Sequence, residues 1–224
     1  MELQPLRGSA AREAFQRDGV VIVDGILDPY FREFLQSYYR TVREHSEAHF
    51  GRDWTSMNGQ GDACSEAVLY TVRSHISDIT ELDLLPSMSV ARMFEKGDKV
   101  GRHIDGPTNE INCTLCIDRD SPWYLHFENE KVAAKVDLLP GQAVLYRGNE
   151  LFHWREKYTG SNHVQVIFGY VLKGGAHEDR AFERRGRPEY APAGRPKYGP
   201  RGFVKARLYR LREWLREWRG ILSR

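Results

Sequence analysis

A chain of 224 residues, 41% hydrophobic and 29% charged, is long enough for one sizeable globular domain and short for two; it holds no run of eighteen apolar residues, which argues against a membrane-spanning helix. Three cysteines (Cys64, Cys113 and Cys116) and an N-terminus without signal-peptide grammar predict a reducing, cytoplasmic setting rather than a disulfide framework. The net charge of +2 is unevenly spread: residues 174–224 carry 14 Lys+Arg against 6 Asp+Glu, and the rest of the chain carries 19 against 25, so a basic tail follows an acidic body and either packs on it or meets an external anion.

Residues 9–18 read as a short helix with Ser9 as N-cap and Gly19 as its stop. Val20–Val23 is a β-branched strand closed by Asp24-Gly25. Asp28-Pro29 opens a longer helix running to about His45, with Phe31, Phe34, Leu35 and Tyr38 at helical spacing. Residues 50–63 read as a loop, and 64–85 as partly helical. After Pro86 the pattern becomes one of short strands: 88–95, 100–104, 111–117, 123–128, 133–138, 143–146, 151–155 and 163–171. They are separated by turn residues such as Gly97-Asp98, Gly106-Pro107, Pro140-Gly141 and Gly148-Asn149. Eight strands with a turn about every ten residues describe a jelly roll or a small barrel. Residues 174–202 are rich in Gly, Pro and Arg and read as extended. Residues 203–222 form an amphipathic helix with Val204, Leu208, Leu211, Leu215, Trp218 and Leu222 on one stripe.

The stretch that carries chemistry is His103-Ile104-Asp105, followed by His153. On a strand, residues i and i+2 point to one side, so His103 and Asp105 can face the barrel interior together, at a rim set by Gly106-Pro107. Singly, each is as well read as a solvated strand-end residue. If the strand bearing His153 lies beside the first, two imidazoles and one carboxylate meet and leave three octahedral positions open, the arrangement that oxygen chemistry at ferrous iron requires.

The sequence here resembles the Fe(II)/2-oxoglutarate-dependent oxygenases of the phytanoyl-type and prolyl-hydroxylase-like branches, over about residues 14 to 171. Besides the His-x-Asp…His pattern, Phe15 to Leu27 looks like the N-terminal segment of the phytanoyl type. Asn112-Cys113-Thr114-Leu115-Cys116-Ile117 is similar to the strand that follows the His-x-Asp, and Leu138 to Tyr146 to the approach to the distal histidine. The resemblance implies a double-stranded β-helix, an α+β and mainly β fold. It also implies Fe(II) held by His103, Asp105 and His153, with 2-oxoglutarate as co-substrate and O₂ consumed in hydroxylation or a related C–H oxidation such as desaturation. Related halogenases have a small residue where Asp105 stands, so the carboxylate favours hydroxylation. The family's usual basic anchor for the far carboxylate of 2-oxoglutarate, and the serine paired with it, are replaced here by His163 and Gln165. The remaining anchor candidates are Arg155, which shares the strand parity of His153, then Arg147, His163 itself and Tyr124. Each arginine is equally readable as an ion-pair partner of Glu150 or Glu156.

Other signals are weaker. Cys113 and Cys116 fall on opposite faces of a strand and make a zinc site improbable. Trp54 and Asn58 suit a lid or ordinary loop packing. The C-terminal helix packs on the barrel, forms a homodimer seam, or meets an anionic surface, in that order; Glu213 and Glu217 count against nucleic acid. The sequence therefore predicts an oxygenase domain over 1–173 (core 86–171), a basic arm and helix over 174–224, and a small-molecule substrate. A cupin-type metalloenzyme that does not use 2-oxoglutarate and a non-enzymatic binding barrel stand as alternatives. The cupin would draw on more histidines, with a closely spaced pair on one strand, where this chain offers the His-x-Asp pair.

Overall fold

The computed structural model describes residues 1–49, 59–60 and 63–181, all within a compact unit spanning Met1–Arg185. The lid candidates Trp54 and Asn58, most of the basic arm, and the C-terminal helix with its dimer seam lie outside the described residues. In chain order the elements are β1 (Pro5–Leu6), α1 (Gly8–Asp18), β2 (Val20–Val23), α2 (Pro29–His49), β3 (Gly59–Gln60), α3 (Ala63–Thr80), β4 (Leu84–Phe94), β5 (Val100–His103), β6 (Ile111–Arg119), β7 (Leu125–Glu128), β8 (Ala133–Val136), β9 (Ala143–Arg147), β10 (Phe152–Arg155) and β11 (His163–Leu172), with a short 3₁₀ turn at Glu178–Arg180. None of the described helices is long and apolar enough to cross a membrane.

The helices begin and end for local reasons. α1 stops where Gly19 turns left-handed at φ 68° and its N–H closes on the Phe15 carbonyl at 2.8 Å. Its N-cap is Arg7, not the expected Ser9, and no side chain caps it. α2 starts as predicted, with the Asp28 carboxylate accepting from the Phe31 N–H at 2.9 Å and Pro29 in the first turn. Its apolar stripe is narrower than predicted: Leu35 and Tyr39 are buried, whereas Phe34 is exposed. β4 begins at Leu84, two residues before the boundary expected at Pro86. Pro86 is tolerated inside the strand because it sits beside a bulge at Gly169/Tyr170, and β3 flanks β4 only at Val90 and Ala91.

The strands form two sheets. One has the order β1-β2-β9-β6-β11-β4-β3, the other β5-β10-β7-β8. From β4 onward the chain repeatedly crosses from one sheet to the other, and apart from the parallel β1–β2 pair the strand pairs are antiparallel. Side-chain parity sorts the core into two layers. On β6, Ile111, Cys113, Leu115 and Ile117 pack with Phe15, Leu35, Leu69 and Ile76 of the helices. Cys116 faces the other way and joins Leu125, Phe127, Val136 and Val144 between the sheets. The two cysteines thus lie on opposite faces, and burial pushes both thiols up.

Buried among the residues of the inter-sheet layer are polar side chains: Asn112, Thr114, His153, Arg155 and Gln165. Polar groups in such a place cost free energy unless each finds a partner, and the site is built from them.

A separate polar staple closes the far end. Asp120, just past β6, accepts from the Tyr158 hydroxyl at 2.6 Å, the Ser161 N–H at 2.8 Å and the Asn162 N–H at 3.1 Å. The Ser161 hydroxyl also donates to this carboxylate, and these bonds, first those from the side chains of Ser161 and Tyr158, hold the Asp120 carboxyl well below the usual carboxylate range. A depressed folded value contributes stability above the unfolded carboxylate pKa and loses it as pH falls below about 4. Because Asp120 is exposed, the contribution is modest. Asp120→Ala is expected to cost about 1 kcal/mol at neutral pH in urea unfolding, and the gap between variant and parent should shrink on acidification below about pH 4. A gap that is constant from pH 7 to pH 2 would remove the ionised carboxylate from the explanation.

Candidate metal centre

β5 and β10 are antiparallel neighbours in the four-stranded sheet, and His103 is paired directly with His153. The adjacency on which the three-ligand reading depends is therefore present, and it brings the imidazole centroids to 4.2 Å. Each ring is oriented by the same local device. His103 Nδ1 lies 2.7 Å from the Gly101 carbonyl, and His153 Nδ1 lies 2.9 Å from the Leu151 carbonyl, in both cases two residues back. A carbonyl only accepts, so in the neutral ring Nδ1 carries the hydrogen and Nε2 keeps its lone pair. Both Nε2 atoms face Asp105, at 3.5 Å from its Oδ1 for His103 and 3.3 Å from its Oδ2 for His153.

Asp105 is not on the strand as its i+2 spacing suggested. β5 ends at His103, and Asp105 sits in the rim segment beyond, anchored by its own N–H to the Gly148 carbonyl at 2.9 Å. Its carboxylate is reached by the Asn112 amide, a fully buried side chain on β6 of the opposite sheet. A Cβ on Gly148 would stand 2.8 Å from Asp105 Oδ2, so this close approach requires glycine.

The triad graduates from exposed to buried: His103 is 44% exposed, Asp105 18% and His153 5% by side chain. Hydrogen bonding to Asp105 holds the His103 pKa up, while burial pushes that of His153 down and keeps it neutral. As direct hydrogen bonds, 3.3 and 3.5 Å are long beside the ~2.7–2.9 Å of charge-assisted pairs. As adjacent donors on a common ion, each about 2.1 Å from it, the atoms would stand about 3 Å apart. The three donor atoms lie within 4.8 Å of one another. Two imidazole nitrogens and one carboxylate oxygen, preoriented and close, fit a single divalent ion with open positions better than they fit a hydrogen-bonded cluster.

No protein-family model matches the chain, and no curated protein matches it in sequence. Solved structures do match in fold. An oxidoreductase of the 2-oxoglutarate–Fe(II) oxygenase family from Burkholderia pseudomallei superposes with a TM-score of 0.60 at 10% identity, covering 79% of this chain and 97% of that one. A prolyl-4-hydroxylase from Pseudomonas putida does so with a TM-score of 0.53 at 14% identity (74% and 99% covered). EctD from S. alaskensis, solved with 2-oxoglutarate and 5-hydroxyectoine, gives 0.56 at 13% identity (74% and 76% covered). This chain has the double-stranded β-helix fold of those oxygenases. Within that double-stranded β-helix, β5 and β10 belong to the smaller sheet, and the triad faces the space between the sheets.

A cavity of about 150 Å³ opens at the triad and is lined by Arg92, Asn109, Thr114, Tyr146, Arg155 and Gln165 among others. Arg155, two residues beyond His153 on β10, points into it as parity predicted. It is almost fully buried and donates through Nη1 to the Trp123 carbonyl and through Nη2 to Gln165 Oε1 at 3.2 Å. Its guanidinium lies 4.7 Å from the Trp123 ring centroid, and its Nε has no hydrogen-bond partner. Burial lowers its pKa to about 10, and no carboxylate among the described residues forms an ion pair with it.

The other anchor candidates stand elsewhere. His163 is buried under Trp123, Phe94 and Tyr158, its Nε2 3.3 Å from Gln165 Oε1, and burial drives its pKa down to about 3, so it is a neutral group behind the cavity wall. Arg147, at the end of β9, lies over the Phe15 ring and near Glu150 at 3.6 Å, and lines a different surface cleft. Tyr124 lies beneath the Lys135 ammonium on the outer side of the smaller sheet. Sequence reasoning did not single out Arg92, Asn112 as a partner of Asp105, or Gly148. Strand parity could have indicated Arg92 and Asn112; nothing local marks Gly148.

Proposed function

We propose that this protein is an Fe(II)/2-oxoglutarate-dependent dioxygenase that hydroxylates, or otherwise oxidises, a C–H bond of a small molecule. The observation that carries the reading is the convergence of His103, Asp105 and His153 next to a buried guanidinium with which no carboxylate among the described residues pairs within salt-bridge distance. His103, Asp105 and His153 would hold the iron; with 2-oxoglutarate and O₂ bound, the iron supplies the oxidising power for C–H cleavage. Arg155 reaches Gln165, one of the two positions at which the family's carboxylate anchor and its partner are replaced, and its charge suits the far carboxylate of a dicarboxylic co-substrate. Trp123 and Gln165 fix the plane of its guanidinium. Met88, Val90, Leu125 and Ile167 supply apolar lining that keeps bulk water from the reacting carbon.

Anaerobic titration with Fe(II) and then 2-oxoglutarate is the direct test, read by the weak visible band of the chelate. The band is expected in the parent protein. In Arg155→Met, once circular dichroism shows it folded, 2-oxoglutarate affinity is expected to fall by about 10–100-fold, the equivalent of one or two charge-assisted hydrogen bonds. A band seen only with a different 2-oxo acid would reassign the co-substrate. Absence of any Fe(II) binding would remove the enzymatic reading.

A further inference from the structure

Outside the triad, a chain of side-chain hydrogen bonds leads to it. Thr108 Oγ1 donates to Asn109 Oδ1 at 2.7 Å, Asn109 Nδ2 donates to Asn112 Oδ1 at 2.8 Å, and Asn112 Nδ2 donates to Asp105 Oδ2. Asn112 is fully buried and Asn109 nearly so. An ionised carboxylate can only accept, so the terminal acceptor fixes the direction of every bond before it: each amide must present nitrogen toward Asp105 and oxygen away from it. The rest of the frame is backbone. The Asn109 N–H closes a turn on the Gly106 carbonyl at 3.0 Å, and Ser87 Oγ on β4 donates to the Thr108 carbonyl. Asn112 is paired on β9 with Tyr146. The amide thus stands on an inner strand of the larger sheet, while the carboxylate it holds belongs to the rim of the smaller one.

From this geometry we infer that Asn112 is a positioning residue for the metal centre: its amide engages Asp105 Oδ2, the oxygen turned to His153, while Oδ1 stays turned to His103, and so holds the carboxylate in one orientation toward an ion between the two imidazoles. The consequence is chemical as well as structural. A carboxylate that turned to offer both oxygens would fill one of the positions needed for co-substrate and O₂. Partners of ligands matter in proportion to how firmly they orient them, and their loss typically weakens metal binding by about 10–100-fold. Here the orienting partner is itself locked, by Asn109 on one side and by the strand pairing on the other.

The inference rests on the proposed metal centre, and the test separates the two. Apo-protein is titrated anaerobically with Co(II), followed by its visible absorption, in the parent, Asn112→Ala, Asn109→Ala and Cys113→Ala. Cys113 is the next residue on β6, equally buried but facing the helices, so its truncation strains the same strand without touching Asp105. Asn112→Ala is expected to raise the Co(II) dissociation constant by about 10–100-fold. Asn109→Ala should raise it less, and Cys113→Ala should leave it within about threefold while lowering the melting temperature, as core truncations do. Unchanged affinity in Asn112→Ala overturns the inference, as does an equal loss in Cys113→Ala. If Asn112→Ala does not fold, Asn109→Ala decides by the same comparison with Cys113→Ala. A parent protein that binds no Co(II) would instead overturn the metal centre itself.

Discussion

Asp105→Ala is expected to abolish turnover and to weaken Fe(II) binding by more than the ~100-fold that marks the loss of an orienting partner. The carboxylate is the sole anion of the triad and its only oxygen donor, and it is the group that both Nε2 atoms face, at 3.3 and 3.5 Å. Its removal leaves two neutral imidazoles on neighbouring strands, a set that lacks both the charge and the third vertex. The fold should survive, because Asp105 lies in a rim segment outside the strands and its backbone N–H still reaches the Gly148 carbonyl. A variant with a normal circular dichroism spectrum, no chelate band and no O₂ consumption is the expected result. Retention of Fe(II) affinity within about threefold of the parent would show that the carboxylate is not a ligand.

The second large effect is expected at a residue that carries no functional group. Gly148→Ala would place a methyl group 2.5 Å from the Asn109 carbonyl oxygen, 2.6 Å from Asn112 Nδ2 and 2.8 Å from Asp105 Oδ2. The first of these is backbone and cannot swing aside. Gly148 is also held at both ends, its N–H donating to the Glu110 carbonyl at 3.1 Å and its carbonyl accepting from Asp105. Relief must come from the Asn112–Asp105 contact, so the methyl group pushes apart the ligand and the amide that aims it. Overpacking of this kind costs about 1–3 kcal/mol of stability, and displacement of the carboxylate should weaken Co(II) binding by about 10–100-fold. Chemical denaturation and anaerobic titration on one preparation check both figures. A stable variant with parental affinity would mean that the rim can reorganise around the methyl group at no cost.

Much of this centre was legible from strand parity alone. His103 and His153 sit on strands whose turn rhythm was readable, whereas the pairing of those strands stood as a condition that the sheet order then met. Parity also separates the two arginine candidates. Arg155 shares a face with His153, whereas Arg147 follows Tyr146, whose side chain lies on the inner face, and therefore points toward α1. By the same rule, Leu125 and Phe127 point inward and leave Tyr124 outside. What escaped the sequence was set by contacts between distant segments. β1 and β3 have two residues each, too short for any periodicity. Asp105 left its strand because the rim turns toward Gly148. The roles of Asn112 and Gly148 exist only because β6 and the β9–β10 connection come within contact distance of that rim.

β5 has four residues and, among the described strands, lies at the border of its sheet with β10 as its sole neighbour. One member of the triad therefore hangs from a short outer strand and its direct partner from an inner one, fifty positions later in the chain. An ion gripped by both imidazoles would be a cross-strand rivet at that outer edge of the hydrogen-bonded ladder. Loading the centre and docking that outer ribbon then become one equilibrium, and each draws free energy from the other as mass action requires.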